Sequence, residues 1–457
     1  MRDLIIMLTF VAFLTIGTMS PFVLALGYVW VDLFSPQTVT WSTLGTLPLS
    51  FIMGAASVAA YLVLDRRDAP RISPLMVMFG VMAIWISATT SWAAMPVQGE
   101  VKWEIAIKVM IFCMFIPFVV RSRIQIEAFA HVYVFSLAAH ILPWAFKTIL
   151  TGGGYGYSLG LVGANALWVS ESSAVAAIGI MLLPLLLALR KHSLLLPKGR
   201  ISDLIYLGTG FSGLFASIGT FARTAIVGLG VLGVTLFLRT KRKAAFTVTT
   251  LVVAAALFAV TSDKWTARIS TIEDYDTESS SLIRLLVWKW TLGYVAENPF
   301  GGGFRVWMTN VITFPGPDPA NPIIQNGRAF HSMYFAILGE HGIPGMVIYI
   351  ALIAMLFSAL RTVVKQTAGH PAHEWASDMA KALQVTIAVL LACGAFIDIS
   401  FEPLVWYLFT MVICLREYVR RVLAPINIPA SERFRNNAVM PVPAPAAGAR
   451  RPMAARL

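Results

Sequence analysis

An all-α integral membrane protein is the fold class predicted for this chain, and three observations predict it. Apolar residues fill 58% of the 457 positions, and the mean hydropathy is +0.74. Apolar stretches recur at the length that crosses a hydrocarbon core of about 30 Å. Those stretches lack the two-residue alternation of barrel strands. In lipid only helices and closed barrels satisfy every backbone group, so long unalternating runs mean helices.

The first stretch, from about 4 to 34, is interrupted by Ser20-Pro21 and crosses either as one broken span or as two short helices with an outside N-terminus. Thr18-Met19-Ser20-Pro21 offers no small-x-small cleavage site, so the stretch is expected to be retained. Further spans are read at roughly 44 to 64, 74 to 91, 105 to 120, 129 to 149, 174 to 189, 203 to 219, 224 to 238, 244 to 262, 343 to 360, 382 to 400 and 403 to 420. Basic residues gather in alternate loops: Arg66, Arg67 and Arg71; Arg121 and Arg123; Lys191, Lys198 and Arg200; Arg239, Lys241, Arg242 and Lys243; Arg361 and Lys365. That alternation assigns those loops to the cytoplasm and gives an expectation of twelve spans with both ends cytoplasmic.

The net charge of +12 is thereby a topology signal. It forms no aromatic-interleaved basic patch, so nucleic acid is not an expected partner, whereas membrane lipids are. Cys113, Cys393 and Cys414 lie within apolar runs, without metal-ligand spacing, and read as packing residues. Four regions follow: membrane helices over 1–262, a large outer loop over 263–342, further membrane helices over 343–424, and a Pro-, Ala- and Arg-rich tail over 425–457 that reads as disordered. Internal repeats are not evident, which weighs against a transporter built on inverted repeats.

The outer face should carry the chemistry, because long loops in compact proteins are usually functional. It receives a loop at about 92 to 104, a Gly-rich loop at about 150 to 173, the break Thr220-Phe221-Ala222-Arg223, and the 263–342 segment. Arg223 stands out because it sits on the face from which basic residues are otherwise sorted, and an arginine there calls for an anionic partner. The large loop runs from the acidic Glu273-Asp274-Tyr275-Asp276 to Ser279-Ser280-Ser281-Leu282-Ile283-Arg284, which leads into an amphipathic helix through Trp288 and Trp290. After it come Asn298-Pro299-Phe300-Gly301-Gly302-Gly303-Phe304, a Pro-rich loop, Phe330-His331-Ser332-Met333-Tyr334-Phe335 and Gly342-Ile343-Pro344-Gly345.

In that order, the Asn-Pro-x-Gly-x-Gly run, a His followed by Ser and an aromatic, and the Gly-x-Pro-Gly lead-in to the next span resemble the bacterial O-antigen ligase and O-antigen polymerase superfamily. The resemblance covers roughly 200 to 420. The N-terminal part, beginning Met1-Arg2-Asp3-Leu4, is similar to the exosortase-associated O-glycosylation ligase branch. Much of the family has Asn after the His, where this chain has Ser332, a departure that touches the acceptor contact. The resemblance implies a GT-C-type glycosyltransferase of the bacterial inner membrane with its active site facing the periplasm. It would move a glycan from undecaprenyl diphosphate to an acceptor hydroxyl, the lipid A core in ligases, with inversion and without metal or other cofactor. Both Arg223 and Arg284 match positions where ligases carry functional arginines.

Residue chemistry leads to a compatible place. A diphosphate leaving group needs cations at the lipid–water boundary, and arginine offers a planar fork that fits phosphate oxygens. Arg223 is alternatively a snorkelling residue or a partner for Glu402, and Arg284 a surface charge answering the acidic run. His331 is the expected general base, since imidazole titrates near neutrality. Glu340, nine positions on, falls on the opposite face of a continuous helix and about 13 Å along it, so it is not expected to orient His331.

Candidate substrate contacts are Lys108, Gly302, Arg328 and Tyr334. Lys108 lies inside a span one turn below the outer interface and alternatively pairs with a carboxylate such as Asp398. Gly302 could aim backbone N–H groups at phosphate, or simply make a tight turn. Trp288, Trp290, Trp307 and Tyr334 stack on sugar rings or form an aromatic belt. The acidic run 273–276 reads as a solvated surface in preference to a divalent-metal site. Rival functions are a polymerase, a protein O-oligosaccharyltransferase, and a lipid-linked glycan flippase, which would need polar groups along a transmembrane path.

Overall fold

The computed structural model describes residues 2–40, 43–67, 71–151, 171–248, 250–252, 255, 279–314 and 323–423. Ahead of the large loop come α1 (Arg2–Gly17), α2 (Pro21–Phe34), the single turn α3 (Pro36–Val39), α4 (Leu49–Leu64), α5 (Pro74–Ala88), α6 (Pro96–Val119), α7 (Arg123–Thr151), α8 (Ser172–His192), α9 (Arg200–Gly219) and α10 (Arg223–Arg239). They are followed by α11 (Lys243–Val252), then α12 (Ser279–Glu297), α13 (Met333–Thr367), α14 (Glu374–Gly394) and α15 (Pro403–Val422). Residues Met1–Val419 pack as one compact unit, and a second unit begins at Arg420.

Among the described residues six helices are long and apolar enough to cross a membrane: Pro74–Trp92, Arg123–Leu150, Ser172–His192, Arg200–Gly219, Met333–Thr367 and Pro371–Gly394. The protein is thus an all-α, multi-pass membrane protein. The other expected spans are shorter or more charged. α6 carries Glu100, Lys102, Glu104 and Lys108, and the last turns of α15 carry Arg416, Glu417, Arg420 and Arg421. Residues 4–34 form two helices, of 16 and 14 residues. Pro21 starts the second where its missing N–H costs nothing, and the pair folds back as a hairpin, with the Phe13 and Trp30 rings 5.6 Å apart.

Small residues let the bundle close. α8 and α9 run antiparallel in contact at Gly179 and Gly213, where a Cβ on Gly213 would lie 2.5 Å from the Gly179 carbonyl oxygen. One turn on, Ser217 Oγ donates to the Ala176 carbonyl at 2.9 Å. Such contacts replace hydrophobic driving force inside lipid. α14 lies against α8, with Thr386 Oγ1 donating to the Met181 carbonyl at 3.0 Å. The three cysteines are free and buried, as packing residues.

Several spans differ from their expected bounds: the 105–120 span begins at Pro96, the 129–149 span at Arg123 and the 44–64 span at Leu49. The 343–360 span begins ten residues earlier, at Met333, and breaks at Gly342, whose φ of 67° and ψ of −168° are not helical. The 382–400 span begins at Glu374 and ends at Gly394, because the inward residues Trp375, Ala376, Met379 and Ala380 extend its buried stripe toward the N-terminus. Of the expected 244–262 span, residues beyond α11 lie largely outside the described residues, as do the acidic run 273–276 and the tail from 424.

The 263–342 segment forms α12, a 3-10 turn (Val306–Thr309) and a two-stranded antiparallel hairpin, β1 (Val311–Phe314) with β2 (Ile323–Asn326). The amphipathic helix is as read from sequence. The hairpin is not, since 311–314 and 323–326 flank the Pro-rich stretch and were expected to belong to its loop. Ile283, Val287, Val306, Ile312, Phe330 and Ala336 make a small core that fixes α12 and the hairpin on the start of α13, each large buried side chain contributing about 2 kcal/mol.

The basic loops converge on one end. Arg123 Nη2 donates to the His192 carbonyl at 2.8 Å. Glu127 Oε1 accepts from the Leu194 and Leu195 N–H groups at 2.8 and 2.9 Å, and Arg239 donates to the Lys381 carbonyl at 2.8 Å. At the other end lie the start of α8, the α9–α10 break, the start of α13 and the close of α14.

Candidate active site

His331 is held in place by its neighbours. Asn310 accepts from the Arg328 N–H at 2.9 Å and donates to the Arg328 carbonyl at 2.7 Å, which secures the chain as it leaves β2. Phe330 is fully buried, and its carbonyl accepts from Trp288 Nε1 at 2.9 Å. The Trp288 indole stacks on Phe335 at 4.9 Å. Ser332 is buried at the N-cap position of α13, with φ −157° and ψ 124°. Between these anchors His331 takes φ 47°, the left-handed conformation that costs an L-residue of this kind about 1 kcal/mol. In this conformation its imidazole is 43% exposed and Nδ1 lies 3.5 Å from Glu171 Oε1.

The start of α13 is in turn fixed on the end of α14. Met333 packs so closely on Gly394 that a Cβ there would meet its sulfur at 1.9 Å, and Tyr334 Oη donates to the Leu391 carbonyl at 2.8 Å. The Tyr334 hydroxyl therefore serves the helix contact, leaving the ring face as its available surface.

The same end of α14 receives Arg223. Phe221 adopts φ 49° in the α9–α10 break, and Arg223 opens α10 as a half-buried residue. The carbonyl of the adjacent Thr224 accepts from Cys393 Sγ at 3.8 Å. Arg284, also half-buried, lies one helical turn before Trp288, whose indole holds the Phe330 carbonyl. Three residues distant in sequence, Arg223, Arg284 and His331, are thus carried to one end of the bundle by α10, α12 and the start of α13. Arg328 is exposed beside them.

Two expectations require correction. Lys108 is 66% exposed and pairs with Glu104 at 2.9 Å; the partner of Asp398 is Lys102. Six residues along a helix rotate the side chain by about 240°, and it is Lys102 that shares its face with Gly99 and the buried Ala106. Lys102 Nζ lies 3.4 Å from Glu340 Oε1 and 3.3 Å from Asp398 Oδ2. Glu340 also accepts from the Arg305 N–H at 2.9 Å, and Asp398 from Ser400 Oγ at 3.0 Å. This cluster joins α6, the glycine turn, α13 and the α14–α15 connection. Glu402, in that connection, has its carboxyl pushed up to about 7 by burial, against the pull of Lys102.

The second correction concerns Gly302. Its N–H donates to the Gly339 carbonyl at 3.0 Å, Gly303 N–H to the Glu340 carbonyl at 2.8 Å, and Gly301 N–H to the Asn298 carbonyl at 2.9 Å. The run is a tight turn seated on the end of the first α13 segment, with its donors already engaged, and does not cradle phosphate. Glu340, as expected, does not orient His331.

Lys102 and Glu171 were missed by sequence reasoning. Lys102 had a signal, since Gly99, Lys102 and Ala106 share a helical stripe of small residues around a charge. Glu171 had none, because a single acid ahead of an apolar run reads as a helix start. Among the described residues His192, Glu374 and Asp378 could offer three metal ligands, but Lys191 Nζ already engages both carboxylates, at 2.8 and 2.7 Å.

A family model described as O-antigen ligase matches residues 208–350, the stretch that contains Arg223, Arg284, Gly302, Arg328, His331 and Tyr334. A second, described as a family of unknown function, matches residues 1–194, which include Lys102 and Glu171. No curated protein matches the chain. With its motifs in the expected order, the match over residues 208–350 supports placing the chain in the O-antigen ligase and O-antigen polymerase superfamily.

Proposed function

We propose that this protein is an O-antigen ligase-like glycosyltransferase of the bacterial inner membrane, with a GT-C-type architecture and its site at the periplasmic face. In this reading α4, α6, α10, α11 and α15 join the six apolar helices as further crossings, the α1–α2 hairpin adds two short ones, and the end that gathers the basic loops is cytoplasmic. The donor is a glycan on undecaprenyl diphosphate, its lipid lying between helices, and the acceptor is a hydroxyl of the lipid A core. The observation that carries the proposal is the convergence of Arg223, Arg284 and His331 at the end opposite the basic loops.

The chemistry follows from those side chains. The guanidinium forks meet the diphosphate and stabilise the charge that builds on it as the anomeric C–O bond breaks. His331 takes the proton of the acceptor hydroxyl as its oxygen attacks the anomeric carbon from the opposite side, which inverts that centre. No step calls on a metal. The N-terminal similarity favours the exosortase-associated O-glycosylation ligase branch.

Polymerase and protein O-oligosaccharyltransferase readings share this chemistry and differ in acceptor. A flippase is less well supported, since the charged groups named here gather at one end. The test is transfer by purified protein, in detergent with EDTA, from an undecaprenyl diphosphate glycan onto lipid A core, onto a second lipid-linked glycan and onto a Ser-rich peptide. Transfer to the core is expected. Transfer to another acceptor alone would replace the ligase reading by the matching rival, and no transfer by a folded protein would move the weight to transport.

A further inference from the structure

We infer that Glu171 is the positioning residue of His331, a carboxylate that fixes which imidazole nitrogen faces the acceptor and carries the countercharge when the ring is protonated. This deepens the proposed function and rests on it for the role of His331.

The geometry supports more than a chance surface pair. Glu171 occupies the N-cap position of α8 and makes no side-chain cap to its own helix, so its carboxylate is not engaged there. Its carboxylate instead faces Nδ1 of His331 at 3.5 Å, a separation of the kind that tightens when substrate is bound. The His331 backbone is held at φ 47° between two buried residues, Phe330 and Ser332. The two partners also come from the starts of α8 and α13, helices distant in sequence that both pack on α14.

With Nδ1 directed at a carboxylate, Nδ1 carries the proton and Nε2 presents its lone pair on the opposite side of the ring. Balance then runs simply. The acceptor O–H gives its proton to Nε2, its oxygen forms the new bond to the anomeric carbon, and the electron pair of the breaking C–O bond leaves on the diphosphate. The imidazolium so formed faces Glu171. An orienting carboxylate of this kind acts on the chemical step and not on donor capture.

Glu171→Gln should therefore lower kcat about 10²-fold with donor KM changed less than about 2-fold, and Glu171→Asp should recover part of the loss. Combining Glu171→Gln with His331→Asn should cost no more than His331→Asn alone. Wild-type kcat in Glu171→Gln, or the same fold-loss in both backgrounds, would overturn the inference while leaving the proposed function standing. Full activity of His331→Asn would contradict that function itself. A second readout needs no donor. The ¹⁵N spectrum of histidine-labelled protein, with the His331 signal assigned by its loss in His331→Asn, should show the Nδ1–H tautomer in wild type and a tautomer mixture in Glu171→Gln. Identical tautomer populations in the two would overturn the pairing.

Discussion

Two clusters, one at each end of the bundle, use the same chemistry in opposite settings. At the basic-loop end Lys191 bridges Glu374 and Asp378, and the lysine and glutamate side chains are 56% and 58% exposed. At the other end Lys102 bridges Glu340 and Asp398, with exposures of 15%, 0% and 19%. Water and salt can substitute for the partners of the first set, which is therefore expected to contribute little to stability. The second set has little water to turn to, and it ties together four segments around the start of α13, the element that carries His331. Charge pairing at the first end is dispensable chemistry; at the second it is part of the scaffold of the site.

That contrast can be broken by substitution, beginning where the damage should be greatest. Gly342, two residues past Glu340, has φ 67°, and a Cβ there would lie 2.2 Å from the Pro299 carbonyl oxygen and 2.4 Å from the Phe300 carbonyl carbon. Both contacts are backbone, so Gly342→Ala is expected to destabilise by roughly 3 kcal/mol or more, read as a large fall in melting temperature in detergent. A melting temperature near wild type would mean that the break in α13 is not needed. Next, Lys102→Met leaves two carboxylates without their cation and should cost about 3 kcal/mol. It should also lower transfer, because the start of α13 loses an anchor. Glu340→Gln keeps an acceptor for the Arg305 N–H and leaves Lys102 with Asp398, so a cost of about 1 kcal/mol is expected. At the small end, Lys191→Ala should leave melting temperature and transfer within experimental scatter. A fall as large as that of Lys102→Met would erase the distinction between the two clusters.

The parts of the molecule governed by local pattern were readable from the residues. Hydropathy marked the helices, alternate basic loops marked the two ends, and the Trp288 and Trp290 amphipathic pattern marked α12. His331 and the glycine turn stood out by motif. What stayed hidden depends on contacts distant in sequence. Lys102 and Lys108 are equivalent to a hydropathy scan; helix periodicity puts them on different faces, and the packing of Gly99 on Phe304 shows that the Lys102 face is the inward one. The Gly-rich loop before α8 gave no sign that Glu171 would reach His331, since α8 and α13 are brought near each other by packing on α14. The hairpin of β1 and β2 was masked by prolines between two short β-branched stretches. The break at Gly342 required knowing that the 299–301 backbone would press against it.

The central claim, that chemistry occurs at the His331 end, is tested most directly by comparing wild type with His331→Asn for both donor binding and transfer. Asparagine tolerates the left-handed conformation better than most residues and supplies no imidazole, so the fold is preserved while the base is removed. The account predicts unchanged melting temperature, donor affinity within about 2-fold, and transfer lowered by about 10²-fold or more. Transfer at the wild-type rate in a folded His331→Asn protein would contradict it.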